Sequence, residues 1–180
     1  MKLSVTELFP CRLNSEFERV CLEFRRMVDW WMGKAAGMPQ LSHQQLRDAY
    51  SPDWRRVWGE DFSVLYGQTS CMLAWSLHRQ YGRVEYGQPL VVLNPLLIRK
   101  IGLPGLTITV NRRKHVNVEV EAESSHQKVL LEQAETGRWR PGQAILSPKW
   151  ILLTLTTTIN PASKETPEIE ALLKKGAQPF

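Results

Sequence analysis

Basic residues stand beside tryptophan at three places in the sequence. The three clusters are "RRVW" (55 to 58), "GRWRPG" (137 to 142) and "PKWI" (148 to 151). A guanidinium group can donate two hydrogen bonds to phosphate oxygens, and an indole can stack on an exposed base or a ribose. This combination is therefore typical of proteins that bind RNA or single-stranded DNA. Tryptophan is also common in cores and arginine on surfaces, so a purely structural interpretation of each pair stays open.

A run of three cations marks a predicted hairpin turn. Arg112, Arg113 and Lys114 separate "LTITV" from "HVNVEVE", two segments in which apolar and polar residues alternate. Adjacent cations repel one another, so an exposed role such as a phosphate contact is the functional hypothesis for this turn. Exposed basic turns without a function are the alternative.

The candidate nucleic-acid interface combines these clusters with one further basic pair. The predicted binding residues are Arg55, Arg56, Arg99, Lys100, Arg112, Arg113, Lys114, Arg138, Trp139, Arg140 and Lys149. The chain has 23 basic and 18 acidic residues and a formal charge of +5, so its bias toward polyanionic partners is moderate.

Motifs for other chemistry are missing from the sequence. Glu119, Glu121 and Glu123 alternate along a predicted strand, a pattern that usually forms a solvated face. The four histidines lack metal-ligand spacing, and the sequence has no G-x-S-x-G elbow, P-loop or dinucleotide fingerprint. We therefore expect no catalytic residue, no metal and no cofactor. The three scattered cysteines and the lack of a signal peptide or membrane span favour a cytoplasmic protein.

The helices and strands that would position the basic residues can be predicted from the spacing of apolar residues, which changes near residue 88 from helical to a period of two. We expect a strand over 3 to 9, a helix from Asn14 or Ser15 to the "GMPQ" break, and a second helix from a Ser42–Gln45 capping box to about Tyr50. A short turn after Pro52 and a helix from Asp61 to Tyr81 follow. The remaining segments, including "KVLLEQ" and the last pair "QAILS" and "KWILLTLTTTI", have the period of strands.

This layout predicts an α+β fold in which a small antiparallel β-barrel or sheet, formed by the first strand and the C-terminal half, carries a helical insertion. The expected boundaries are 1–13 and 83–160 for the β domain and 14–82 for the helical insertion. Residues 161–180 are expected to form a linker and a short amphipathic helix.

Three segments resemble a known family. They are "ELFPCRLNSEFERV" with the following "DWW", the helical "YGQTSCMLAWSLHRQYG", and the closing "GRWRPGQAILSPKWILLTLTT". Their order is similar to the N-terminal wedge and helical recognition region of TnpB (OrfB) transposon-encoded RNA-guided nucleases, the ancestors of type V CRISPR effectors. The resemblance implies a module that grips guide RNA and its heteroduplex with target DNA through backbone shape.

The nuclease half of that family has no counterpart in this sequence. Neither the RuvC-like carboxylates nor the four-cysteine zinc module is present. The resemblance therefore implies a non-catalytic chain whose partners are structured guide RNA, target DNA and, as a further candidate, a separate nuclease subunit, with no membrane partner. Two alternatives stay open: a protein-interaction subunit that docks a separate catalytic partner, and a nuclease-free DNA-binding repressor of the same descent.

Overall fold

A computed structural model describes residues 2–12 and 14–158 and the backbone of residues 178–179. Within these residues the fold is α+β, with four α-helices and two antiparallel sheets. The elements are β1 (Lys2–Pro10), α1 (Ser15–Gly37), α2 (His43–Trp58), α3 (Val64–Tyr81), β2 (Val91–Leu93), a 3₁₀ turn (Pro95–Leu97), β3 (Ile98–Ile101), β4 (Gly105–Thr109), β5 (His115–Glu119), α4 (Ser125–Glu135), β6 (Arg140–Leu146), β7 (Trp150–Thr158) and β8 (Gln178–Pro179).

The first strand lies inside the larger sheet. The five strands of that sheet follow the order β2-β6-β7-β1-β8, and β1 pairs with β7 along its whole length, from Lys2 opposite Thr158 to Pro10 opposite Trp150. The smaller sheet has the order β3-β4-β5. The prediction that the first strand joins strands from the C-terminal half is confirmed.

The two sheets meet at the end of β1. Cys11 forms an isolated bridge with Val120, and the amide N–H of Arg12 donates to the carbonyl of Glu119 at 3.1 Å. Within the described residues no ladder joins β3 to β2, so the strands do not close into a hydrogen-bonded barrel.

Helix α1 begins where its sequence predicts. The side chain of Asn14 accepts the amide N–H groups of Glu16 and Phe17, which would otherwise lack partners at the helix start. Its buried stripe includes Phe24, whose ring lies edge-on to Tyr66 of α3 with centroids 6.5 Å apart. Helix α1 therefore forms part of the core against α3.

Helix α2 corrects one prediction. Its capping box at Ser42 is confirmed, but the predicted end near Tyr50 is wrong because the helix continues through Pro52 to Trp58. A proline inside a helix costs about 3 kcal/mol. Trp54 and Trp58 follow it, and both indoles are buried, so their burial offsets the lost backbone hydrogen bond.

Helix α3 starts slightly later than predicted and ends as predicted. Its N-cap is Ser63, whose hydroxyl oxygen accepts the amide N–H of Leu65, and its last residue is Tyr81. Asp61, the predicted start, lies in the connecting loop instead.

Helix α4 overturns the predicted strand "KVLLEQ". Ser124 caps it by accepting the amide N–H of Gln127, and the side-chain oxygen of Gln127 accepts the amide N–H of Glu123. Leu130 and Ala134 are buried at helical spacing from Gln127. The capping signal at Ser124 and Gln127 was present in the sequence and outweighs the apparent period of two.

The β4–β5 hairpin has the faces that alternation predicts. Leu106, Ile108 and Val110 are buried, as are the three valines of the returning strand, and the polar residues between them are half-buried or exposed.

Of the predicted C-terminal linker and helix, only 178–179 lie within the described residues, and they pair with β1. In the part of the chain that the structure describes, no helix has the length and apolar character needed to cross a membrane.

Candidate nucleic-acid interface

Two of the predicted basic clusters meet at one groove. It has a volume of about 1000 Å³ and lies between the helices and the β4–β5 hairpin. Arg55 comes from α2, Ser63 and its neighbours form the start of α3, and Arg112 and Arg113 come from the hairpin turn. We call this cavity the basic groove. Residues far apart in the sequence form it, so only the tertiary fold brings these arginines together.

The three arginines of the basic groove have free side chains. Arg55, Arg112 and Arg113 are exposed, and none of their guanidinium groups has an ion pair or hydrogen bond to another described residue. A free guanidinium keeps its full capacity for bidentate contact with a phosphate. The three arginines are therefore available to an anionic ligand.

Arg56 occupies a different surface from its neighbour Arg55. Consecutive helical residues point about 100° apart, since an α-helix has about 3.6 residues per turn. The guanidinium of Arg56 lies 3.3 Å from the carboxylate of Asp53, and Arg56 does not line the groove. The structure therefore separates two residues that the sequence placed in one cluster.

A smaller depression extends the groove along α2 and α3. It has a volume of about 380 Å³ and shares Trp54, Arg55 and Val64 with the basic groove. Arg47 contributes to it but is paired at 2.8 Å with Asp48. The two cavities form one continuous surface feature.

Carboxylates moderate the potential of this surface. Glu60 and Asp61 line the basic groove, and Asp48 lines the extension. Four cations thus face three carboxylates across the two cavities. The surface is weakly positive overall, and its unpaired positive charges are the guanidinium groups of Arg55, Arg112 and Arg113.

Several other predicted residues already have partners. Lys114 pairs with Glu16 of α1 at 3.4 Å, and Lys100 pairs with Glu135 of α4 at 3.5 Å. Arg99 contacts the imidazole of His115. None of these three basic residues lines the basic groove. Among the three cations of the hairpin turn, Arg112 and Arg113 line the basic groove and Lys114 does not.

The "GRWRPG" cluster divides into a core residue and two surface residues. Trp139 is only 2% exposed, and its indole N–H donates to the side-chain oxygen of Gln133 at 2.7 Å. Its ring is therefore covered and its polar atom is occupied, so in this structure it cannot stack on a base. Arg138 and Arg140 are exposed and line a cleft of about 400 Å³ with Lys2.

The other tryptophans of the clusters face inward to different degrees. The indole N–H of Trp58 donates to the carboxylate of Glu23 at 3.1 Å, and the ring is buried. Trp150 is half-buried beside the exposed Lys149. Within the basic groove, the aromatic residues Trp54 and Phe62 are buried, so the groove presents charge without an exposed stacking platform.

The three cysteine thiols are protonated and unreactive at neutral pH. Burial raises the pKa of the Cys11 thiol to about 11 and that of Cys21 and Cys71 to about 12. A protonated thiol is a poor nucleophile and a poor metal ligand. Among the described residues, no group of three or more His, Cys, Asp or Glu side chains could hold a metal ion.

Asn111 and Ser63 line the basic groove, although neither was predicted as a site residue. Asn111 accepts the backbone N–H groups of Arg113 and Lys114, which fixes the turn from within. The available signal was an asparagine at the first position of a predicted turn, where its side chain commonly bonds to the backbone two residues ahead.

No protein-family model matches this chain, and no curated protein is significantly similar to it.

Proposed function

We propose that this chain is a non-catalytic nucleic-acid-binding module of the TnpB-like kind. The observation that carries the proposal is the convergence of three free guanidinium groups, those of Arg55, Arg112 and Arg113, on one groove. Phosphate contacts of this type supply most of the sequence-independent affinity of nucleic-acid-binding proteins.

The chemistry of the groove favours contact with a backbone over contact with bases. Proteins that bind unpaired strands commonly stack bases on exposed aromatic rings, and Trp54 and Phe62 in this groove are covered. Guanidinium groups without stacking rings suit the regular phosphates of a structured RNA or of an RNA–DNA heteroduplex. These are the ligands that the family resemblance implies.

The remaining parts of the proposal follow from the same resemblance. The two sheets together would be the wedge-like domain, in the form of an open barrel, and the three helices that follow β1 would be the recognition-like insertion. The partners would be structured guide RNA, target DNA and a separate nuclease subunit. A cytoplasmic location fits the three cysteines, which are all free thiols.

A salt titration of binding tests this proposal. Purified protein, freed of nucleic acid, is titrated by fluorescence anisotropy into a structured RNA, a single-stranded RNA of the same composition and a DNA duplex, between 50 and 200 mM salt. Each lost phosphate contact reduces the slope of log K against log salt by about 0.7 to 0.9. We expect the variant Arg55→Ser, Arg112→Ser, Arg113→Ser to lose about two to three units of slope.

A matched variant controls for the loss of positive charge. Arg19→Ser, Arg56→Ser, Arg83→Ser removes the same number of cations from exposed positions outside the groove. We expect it to retain most of the slope. A wild-type protein with no salt-dependent binding to any of the three ligands would refute the proposal. Capture of a protein partner that survives nuclease treatment would then favour the protein-interaction alternative.

A further inference from the structure

The side chain of Asn111 forms hydrogen bonds in two directions at the edge of the basic groove. Its Nδ2 donates to the carbonyl oxygens of Glu60 and Asp61, both at 3.1 Å. Its Oδ1 accepts the amide N–H of Arg113 at 2.9 Å and that of Lys114 at 2.8 Å. One side chain thus joins the basic turn to the loop between α2 and α3.

These four bonds use the full capacity of an amide. An asparagine side chain offers two N–H donors and two oxygen lone pairs, and all four are engaged here. Aspartate would keep the two acceptors but lose both donors, and serine could accept locally but is too short to span the junction. The position is therefore chemically specific for asparagine.

Other bonds hold the base of the hairpin to the helices. The amide N–H of Ser63 donates to the carbonyl of Val110 at 2.7 Å, and the phenol of Tyr66 donates to the carbonyl of Thr109 at 3.0 Å. The two bonds lie before the turn, whereas Asn111 acts at the turn itself, beside the ion pair of Lys114 with Glu16. Removing Asn111 should therefore release Arg112 and Arg113 while the base of the hairpin and Lys114 stay attached.

We propose that Asn111 is a positioning residue of the basic groove. It fixes the turn against the α2–α3 loop, so Arg112 and Arg113 stand on the wall of the groove before a ligand arrives. A preordered site binds more tightly because association does not have to order it. This inference rests on the proposed function, since the value of the preorganisation lies in nucleic-acid binding.

Two substitutions separate the two halves of the amide. Asn111→Ala removes all four bonds, whereas Asn111→Ser keeps a neutral oxygen that can accept from the turn amides without reaching Glu60 or Asp61. Both variants leave Arg55, Arg112 and Arg113 unchanged. Asn94→Ala is the matched control, because Asn94 bonds to a backbone N–H in the same way at the 3₁₀ turn, outside the groove.

The experiment combines binding, hydrogen exchange and thermal unfolding, with the structured RNA as probe. We expect both Asn111 variants to bind about tenfold more weakly, equivalent to about 1.4 kcal/mol, with an unchanged salt slope and with the Tm within a few degrees of the wild type. The amides of Arg113 and Lys114 should exchange faster in Asn111→Ala and be partly protected in Asn111→Ser, while Asn94→Ala should bind like the wild type.

Two affinity results would overturn the inference while leaving the proposed function intact. They are wild-type affinity in Asn111→Ala, and full restoration of affinity in Asn111→Ser, which would show that the link to Glu60 and Asp61 is dispensable. A slope reduced as far as in a variant lacking Arg112 and Arg113 would also overturn it, since the contacts themselves would then be lost. A wild-type protein that does not bind the RNA would remove the proposed function and this inference together.

Discussion

Removing the carboxylates of the basic groove should strengthen binding. Glu60 and Asp61 are exposed and line the same cavity as Arg112 and Arg113. In the variant Glu60→Gln, Asp61→Asn, the side chains keep their shape, and the backbone carbonyls that Asn111 contacts are unchanged. Across the groove and its extension, the balance changes from four cations against three carboxylates to four against one.

The expected gain follows from Coulomb's law. A phosphate about 7 Å from a carboxylate is repelled by about 0.6 kcal/mol in water without salt. The Debye length is about 8 Å at 0.15 M salt and about 30 Å at 0.01 M, so each repulsion falls to about 0.25 and about 0.5 kcal/mol respectively. For the pair of carboxylates, the affinity should rise about twofold at 0.15 M and about fivefold at 0.01 M.

The assay is anisotropy with the structured RNA at both salt concentrations. The matched control is Glu85→Gln, Glu132→Gln, which changes the net charge equally at exposed positions outside both cavities. Equal or weaker binding of the groove variant would refute the location of the phosphate site. An equal gain in the control would show that net charge, and not this groove, governs binding. A gain in affinity also cannot be attributed to misfolding.

Three further predictions concern the core. Burial raises the pKa of the Cys21 thiol from 9.0 to about 12. Above about pH 9 the unfolded thiol loses its proton while the folded one keeps it. The contribution of Cys21 to the free energy of unfolding is therefore complete below about pH 9 and is lost as the pH rises, by up to about 1.4 kcal/mol per pH unit. Cys21→Ala should make the alkaline decline shallower in urea unfolding, and parallel curves would contradict this. Trp139→Ala should cost about 3 to 5 kcal/mol of unfolding free energy because the ring is buried. Arg140→Ala should stay within about 0.5 kcal/mol, and a similar loss for both would contradict the division between core and surface. A Cβ on Gly67 would lie 2.8 Å from the ring of Trp54. Gly67→Ala should therefore lower the Tm despite a helix-propensity gain of about 1 kcal/mol, and a higher Tm would contradict the contact.

Local features of the fold were predictable because local interactions determine them. The cap at Asn14 and the capping box at Ser42 depend on residues within one helical turn, and both are present where the sequence predicts them. The faces of the β4–β5 hairpin follow from alternation alone. The sequence also contained the signal for α4 at Ser124, but the apolar run after it favoured a strand.

Features that depend on distant contacts were not predictable. Pro52 predicts a break by local rules, yet the burial of Trp54 and Trp58 carries α2 past it. Trp139 has the sequence context of a stacking residue, and only its place beside Gln133 shows that it belongs to the core. In both cases tertiary packing outweighs the local pattern.

The sequence by itself determined the α+β composition, the helix caps, the alternating hairpin and the excess of basic residues near tryptophan. The tertiary structure alone decided which of those residues share a surface. It placed Arg55 across the groove from the turn of Arg112 and Arg113, and it turned Arg56 toward Asp53. The physical reason is that caps and periodicity act within a few residues, whereas a groove forms where helices and strands distant in the sequence pack together.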